Sequence, residues 1–222
     1  KGHADIEGIY LPDENILFNS TRSGSAVDCW FTEVSNMYLC DREGRYMGQV
    51  GFDQVHTTTP TLLDDGRVVY TRWDYNDRGQ VWAQPLFQMN PDGTGQAEYY
   101  GMNSRFPTTV AHTRQIPGTR KVMTVFMGHH NPQHGKLGII DPEAGRDENE
   151  GVMFVAPVRK PEAERIDSYG QFTDQFQHPF PLNETEFLIS YTPLGYHIGH
   201  PMEFGIYWMN ANGERELLVA DS

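Results

Sequence analysis

Three histidines, His129, His130 and His134 in MGHHNPQHGK (127–136), form the densest group of side chains here that could do chemistry. Imidazoles so close on one loop could hold a divalent ion, zinc or calcium, with a carboxylate from a neighbouring loop. Their spacing matches no known zinc signature. Hydrogen bonding to a substrate and plain loop structure stay open beside metal binding. A second group, Arg72–Trp73–Asp74–Tyr75, sets an anion-binding fork beside stacking rings, as sugar and carboxylate sites do. The same residues suit a salt bridge between sheets with the indole in the core. Tyr196, His197 and His200 in YTPLGYHIGHP, with Arg22, Trp30 and Arg78 on similar loops, complete the chemically equipped segments. His3, His56, His112 and His178 recur at intervals, and a histidine so placed can simply cap a backbone group. No G-x-S-x-G elbow, Ser–His–Asp arrangement or glycine-rich phosphate loop stands out.

These residues are positioned by a repeated pattern. NMYLCDREGRY (36–46), LFQMNPDGTGQ (86–96), LGIIDPEAGRD (137–147) and GIYWMNANGER (205–215) are versions of one hairpin phrase. Apolar and aromatic residues alternate, Asp41, Asn90, Asp141 or Asn210 opens a turn, and glycine supplies positive φ. A second hairpin phrase precedes each: IYLPDENILF, TLLDDGRVVY, RQIPGTRKVM and PLNETEFLIS. Two hairpins make a four-stranded unit, recurring about every fifty residues, which is the signature of a β-propeller. The blades are expected at about 1–52, 53–104, 105–157 and 170–222, with an insertion at 158–172, in one all-β propeller domain or segment. Four-bladed rings are uncommon, so the chain is expected to be part of a larger ring. The loops between second and third strands, and the starts of the first strands, then gather every histidine on one face. The short turns of the other face read as purely structural.

Composition narrows the function. The 222 residues carry a formal charge of −13, which argues against nucleic acid or an acidic lipid surface as partner. A small molecule, a glycan, or other domains and subunits of a larger protein remain as partners. No run is long enough to span a bilayer. Cys29 and Cys40 are too few for a thiolate zinc site or a C-x-x-C-H haem attachment, and either a disulfide or two buried thiols would fit their strands. The chain starts at Lys1 without an initiator Met, as expected of a processed or excised polypeptide.

The phrases LPDENILFNSTR, VDCWFTEVSNMYLCD, GFDQVHTTTPTLLDDGRVVYTRWDYNDRGQ and MNPDGTGQ resemble the TolB-type (PD40) propeller repeat. With IPGTRKV…GHH, they resemble more narrowly the middle domain of the hydrazine synthase alpha subunit, over residues 9–219. The resemblance implies an exported, periplasmic or otherwise extracytoplasmic bacterial protein with six to eight blades inside a longer polypeptide. It also brings a possible association with c-type haem, for which this chain has no attachment motif.

Three functions follow as expectations. The first is a propeller that binds a ligand, metal or partner through the histidine-rich face, within a larger redox or envelope protein. The second is a polysaccharide lyase or glycoside-active enzyme. In it Arg72 or a metal ion neutralises a uronate, while Tyr75, His112, His129 or His130 moves the proton. The third is a haem-associated oxidoreductase subunit.

Overall fold

The computed structural model describes residues 2–28, 31–75, 83–160, 173–195 and 202–220. Among these residues sixteen strands form four antiparallel sheets, each ordered as it runs in the chain. The first holds β1 (Asp5–Tyr10), β2 (Ile16–Ser20), β3 (Asn36–Cys40) and β4 (Gly48–Gln49). The second holds β5 (Thr57–Leu62), β6 (Val68–Arg72), β7 (Leu86–Met89) and β8 (Ala97–Tyr100). The third holds β9 (Thr109–Gln115), β10 (Val122–Met127), β11 (Lys136–Ile140) and β12 (Val152–Phe154). The fourth holds β13 (Gln175–Pro181), β14 (Glu186–Thr192), β15 (Gly205–Asn210) and β16 (Arg215–Val219). These sheets are the blades of a β-propeller fold, as the paired hairpin phrases require. No helix occurs among the described residues, so none there is long and apolar enough to cross a membrane.

The repeated turn residues close three of the four outer hairpins in the expected way; in the third, Gly145 does not take positive φ, and Asp141 instead pairs with Gly151, whose φ is 70°. Asp41 Oδ1 accepts from the Glu43 and Arg45 amides at 3.0 and 2.7 Å, and Asn210 Oδ1 accepts from Asn212 and Glu214 at 3.0 and 3.1 Å. Gly44, Gly93 and Gly213 take φ of 76°, 85° and 93°, which a side chain would oppose. Cys40 is a buried free thiol in β3, while Cys29 lies outside the described residues.

The chain forms two compact units, Lys1–Tyr99 and Tyr100–Ser222, each of two blades. In the first unit, Leu17 and Met37 are fully buried, and polar side chains stitch β2 to β5. Thr57 Oγ1 donates to Asn19 Oδ1 at 2.9 Å, and Ser35 Oγ donates to Thr57 O at 3.0 Å. In the second unit one apolar cluster joins the blades: Met123, Val125, Leu137 and Ile139 meet Phe187, Ile189, Tyr191 and Met209. Burying such side chains contributes about 1.5–3 kcal/mol each, so this contact stabilises the pairing of the two blades.

One irregularity recurs in every blade. The pairing of the first strand with the second shifts by one residue, between Ile6 and Ile9, Thr58 and Thr61, Ala111 and Arg114, and Gln177 and Phe180. Inside each shift one residue is left-handed: Glu7 (φ 57°), Thr59 (49°), His112 (55°) and His178 (48°). These are β-bulges, and the extra residue re-aims its side chain relative to a regular strand. This corrects the sequence alignment of the four recurring histidines. His112 and His178 are bulge residues equivalent to Glu7 and Thr59, whereas His3 and His56 precede their strands. The hydrophobic pattern around a bulge looks like ordinary alternation with one slip, so spacing alone cannot register it.

Candidate functional site

The two bulge histidines of the second unit meet. Their ring centroids lie 4.0 Å apart with planes at 59°. His112 is half-buried, and its Nε2–H donates to the Gln133 carbonyl at 3.0 Å, which leaves Nδ1 as the acceptor. Burial, followed by the neighbouring His178, holds His112 down to a pKa of about 4. His178 is exposed, and its pKa is also lowered, first by burial of its ring and then by the Arg114 charge. Arg114, on β9, acts on both rings in the same direction. At neutral pH the pair is therefore two uncharged imidazoles that both feel the charge of Arg114. In the first unit the equivalent bulges make a closed contact: Glu7 Oε2 accepts from the Thr59 amide at 2.6 Å and from Asn19 Nδ2 at 2.8 Å. That arrangement consumes its polar groups structurally, and the histidine pair presents ring nitrogens instead.

The β10–β11 loop brings its histidines to two different environments. The rings of His129 and His130 touch edge to face at 4.6 Å, with His130 exposed. His134 is buried; its Nδ1–H donates to Gln175 Oε1 at 2.7 Å, and its ring packs on Phe204 at 5.9 Å. The next residue, Gly135, pairs with Phe176 of β13 through amides at 3.2 and 3.0 Å. His134 thus sits at a seam joining this loop to the next blade. Burial lowers its pKa, partly offset by the Gln175 bond. Among the described residues, no group of three or more His, Cys, Asp or Glu side chains is arranged to hold a metal ion.

In the first unit Arg72 Nε donates to Asp53 Oδ1 at 2.9 Å, and its guanidinium lies 4.6 Å from the Phe87 ring centre. Asp53 is buried, and that burial raises its pKa above the usual carboxylate range despite Arg72, with Asp74 adding to the rise. Trp73 stacks on His56 at 5.7 Å and meets Tyr75 edge-on at 5.4 Å. Both aromatics pack on Val27, Val34 and Val55. His56 Nδ1 accepts from the Ser35 amide at 3.1 Å, and burial lowers its pKa. Arg72, Trp73, Tyr75 and His56 are thus brought together, each with a partner inside the unit. His3 is exposed at 3.6 Å from Asp5, which Arg22 also binds at 2.7 Å. Trp30, Arg78, Tyr196, His197 and His200 lie outside the described residues.

The turns, read from the sequence as purely structural, also line a cavity of about 360 Å³ in the second unit. Its floor includes Ile139, Val152, Val155 and Ala211, and Lys121 Nζ pairs with Glu184 Oε2 at 2.7 Å among its lining residues. Nothing in the turn phrases signals it, because it arises where two hairpins from adjacent blades fail to fill the space between them.

No protein-family model and no curated protein sequence matches this chain. Solved structures do. Hydrazine synthase of Kuenenia stuttgartiensis superposes with a TM-score of 0.70 at 17% identity, over 100% of this chain and 31% of that one. The putative TolB of Agrobacterium tumefaciens superposes with a TM-score of 0.59 at 10% identity, over 95% of this chain and 63% of that one. This chain therefore spans under a third of the first structure's chain and less than two thirds of the second's. At these identities the likeness shows the fold, a TolB-like propeller.

Proposed function

We propose that this chain is part of an extracytoplasmic propeller that binds a small ligand carrying an anionic group, such as an acidic sugar, at the bulge histidines of its second unit. The observation that carries this reading is the contact of His112 and His178, both under the charge of Arg114. Two neutral rings offer both donors and acceptors, and the positive charge of Arg114, two residues along β9 from His112, acts on both of them. In an acidic protein such a spot favours a carboxylate. The touching rings of His129 and His130, on the loop that follows β10, supply further hydrogen-bonding groups to the same unit. Support for an exported location, and for membership of a larger redox protein, comes from the resemblance of fold and sequence.

Calorimetric titration with uronic-acid oligosaccharides and their neutral counterparts tests the proposal. Binding of the acidic series alone is expected, with at least a tenfold loss in Arg114→Ala and His112→Ala, since one charge-assisted hydrogen bond contributes about 1.5–3 kcal/mol. No binding, or binding that survives both substitutions, would overturn it. Ultraviolet absorbance followed in the same samples separates binding from lyase chemistry, because elimination leaves an unsaturated uronate and simple binding does not.

A further inference from the structure

The third outer hairpin departs from the other three where it lines the cavity of the second unit. In the other three, the amide of the turn residue donates to the carbonyl of Arg45, Thr94 or Glu214. Those residues also engage the turn side chain. Arg45 Nε donates to Asp41 Oδ2 at 3.0 Å, and the side-chain amides of Asn90 and Asn210 donate to Thr94 Oγ1 and Glu214 Oε2. In the third hairpin the Asp141 amide instead donates to the Gly151 carbonyl at 2.7 Å. Glycine has no side chain to offer, and a Cβ at Gly151 would overlap the Asp141 and Gly145 carbonyl oxygens. Asp141 Oδ1 accepts from the Glu143 amide at 3.0 Å, while Oδ2 accepts no hydrogen bond among the described residues. Asp141 and Gly151 both line the cavity.

We propose that this cavity is a second binding site, for a small apolar molecule carrying a protonated amine, with Asp141 as the partner of the amine. Its volume of about 360 Å³ suits such a molecule, and the buried Ile139, Val152 and Val155 give it an aliphatic floor. The charges among its lining residues do not balance. Lys121 Nζ is already paired with Glu184 Oε2 at 2.7 Å, and the charge of Asp141 acts on the same ammonium. One lysine against two carboxylates leaves a negative charge beside an apolar surface. The neighbouring cation, Arg120, pairs with Glu143 at 3.0 Å. A carboxylate oxygen without a donor gains a charge-assisted hydrogen bond from an ammonium, and the formal charge of −13 on the chain attracts cations rather than anions. The site shares no residue with the bulge histidines, so the two readings stand or fall separately.

Calorimetric titration with 2-phenylethylamine, 3-phenylpropionate and 2-phenylethanol tests the proposal, and methyl NMR locates the bound molecule. The three compounds share one ring and differ in a cationic, anionic or neutral head. The amine is expected to bind in preference to both others and to shift the methyl signals of Ile139, Val152 and Val155. Asp141→Asn should weaken it by at least about tenfold, the loss of one charge-assisted contact. That variant keeps its turn, since Asn90 and Asn210 close the equivalent hairpins. Lys121→Met should instead strengthen amine binding, because Glu184 loses its partner and adds its charge to that of Asp141. Binding of 3-phenylpropionate that Lys121→Met abolishes would assign the cavity to an anion and overturn the proposal. Equal binding of amine and alcohol, no binding of the amine, or amine binding that leaves the three methyl signals in place overturns it as well.

Discussion

The imidazoles of His112 and His178 stand 4.0 Å apart at equivalent bulges of two neighbouring blades, both in left-handed backbone conformation. Left-handed φ at a residue other than glycine costs on the order of 1–3 kcal/mol and persists only where its surroundings enforce it. Glu7 and Thr59 carry the same conformation in the first unit. The strain therefore belongs to the blade design, and the side chain placed there decides what the bulge does.

Stability should depend on pH through these rings. His112, with a pKa of about 4, and His56, His134 and His178, all lowered, bind protons less readily folded than unfolded. The unfolded chain takes up more protons as pH falls below about 6.5. Their effect is therefore nil above that pH, and destabilisation grows from about 6.5 downward, levelling off for His112 only below its folded value. Melting temperature measured from pH 7.5 to 4 checks this. His112→Gln, which cannot charge, should flatten part of the slope.

Removing the carboxylate beneath Arg72 should be costly. Asp53→Ala leaves a guanidinium packed on Phe87 without its partner, an expected loss of about 2–4 kcal/mol in denaturant unfolding. Asp53→Asn keeps an acceptor and should lose less. Equal losses would mean that charge plays no part in the contact.

Gly135, which pairs with the fourth blade, is sterically tight against β10 of its own blade. A Cβ there would overlap the Phe126 carbonyl oxygen and press on Met127 Cβ, so Gly135→Ala should destabilise by about 1–3 kcal/mol. Gly48→Ala, where nothing lies within 4 Å, is the matched control and should stay within about 0.5 kcal/mol.

Cys40 should behave as a buried thiol. Burial raises its pKa, helped by Asp41, so in a Cys29→Ser variant a disulfide reagent should react slowly until the protein is unfolded. Rapid labelling of the native variant would contradict the packing of Cys40 with Phe18 and Tyr38.

Much of this architecture was legible in the order of residues, because a hairpin is a local object. Asp41 or Asn210 with its glycine needs only the next four residues to close, and alternation on either side marks the strands. The blade count and strand order followed from repeating two such hairpins. Tertiary structure alone decided how the polar residues were used. His56 and His134 became braces inside the fold, Arg72 took Asp53 as its partner, and His112 met His178 across two blades. A bulge shifts the register by one residue without changing composition. The contacts it creates join strands about sixty residues apart, at a range where one-dimensional spacing no longer constrains which side chains touch.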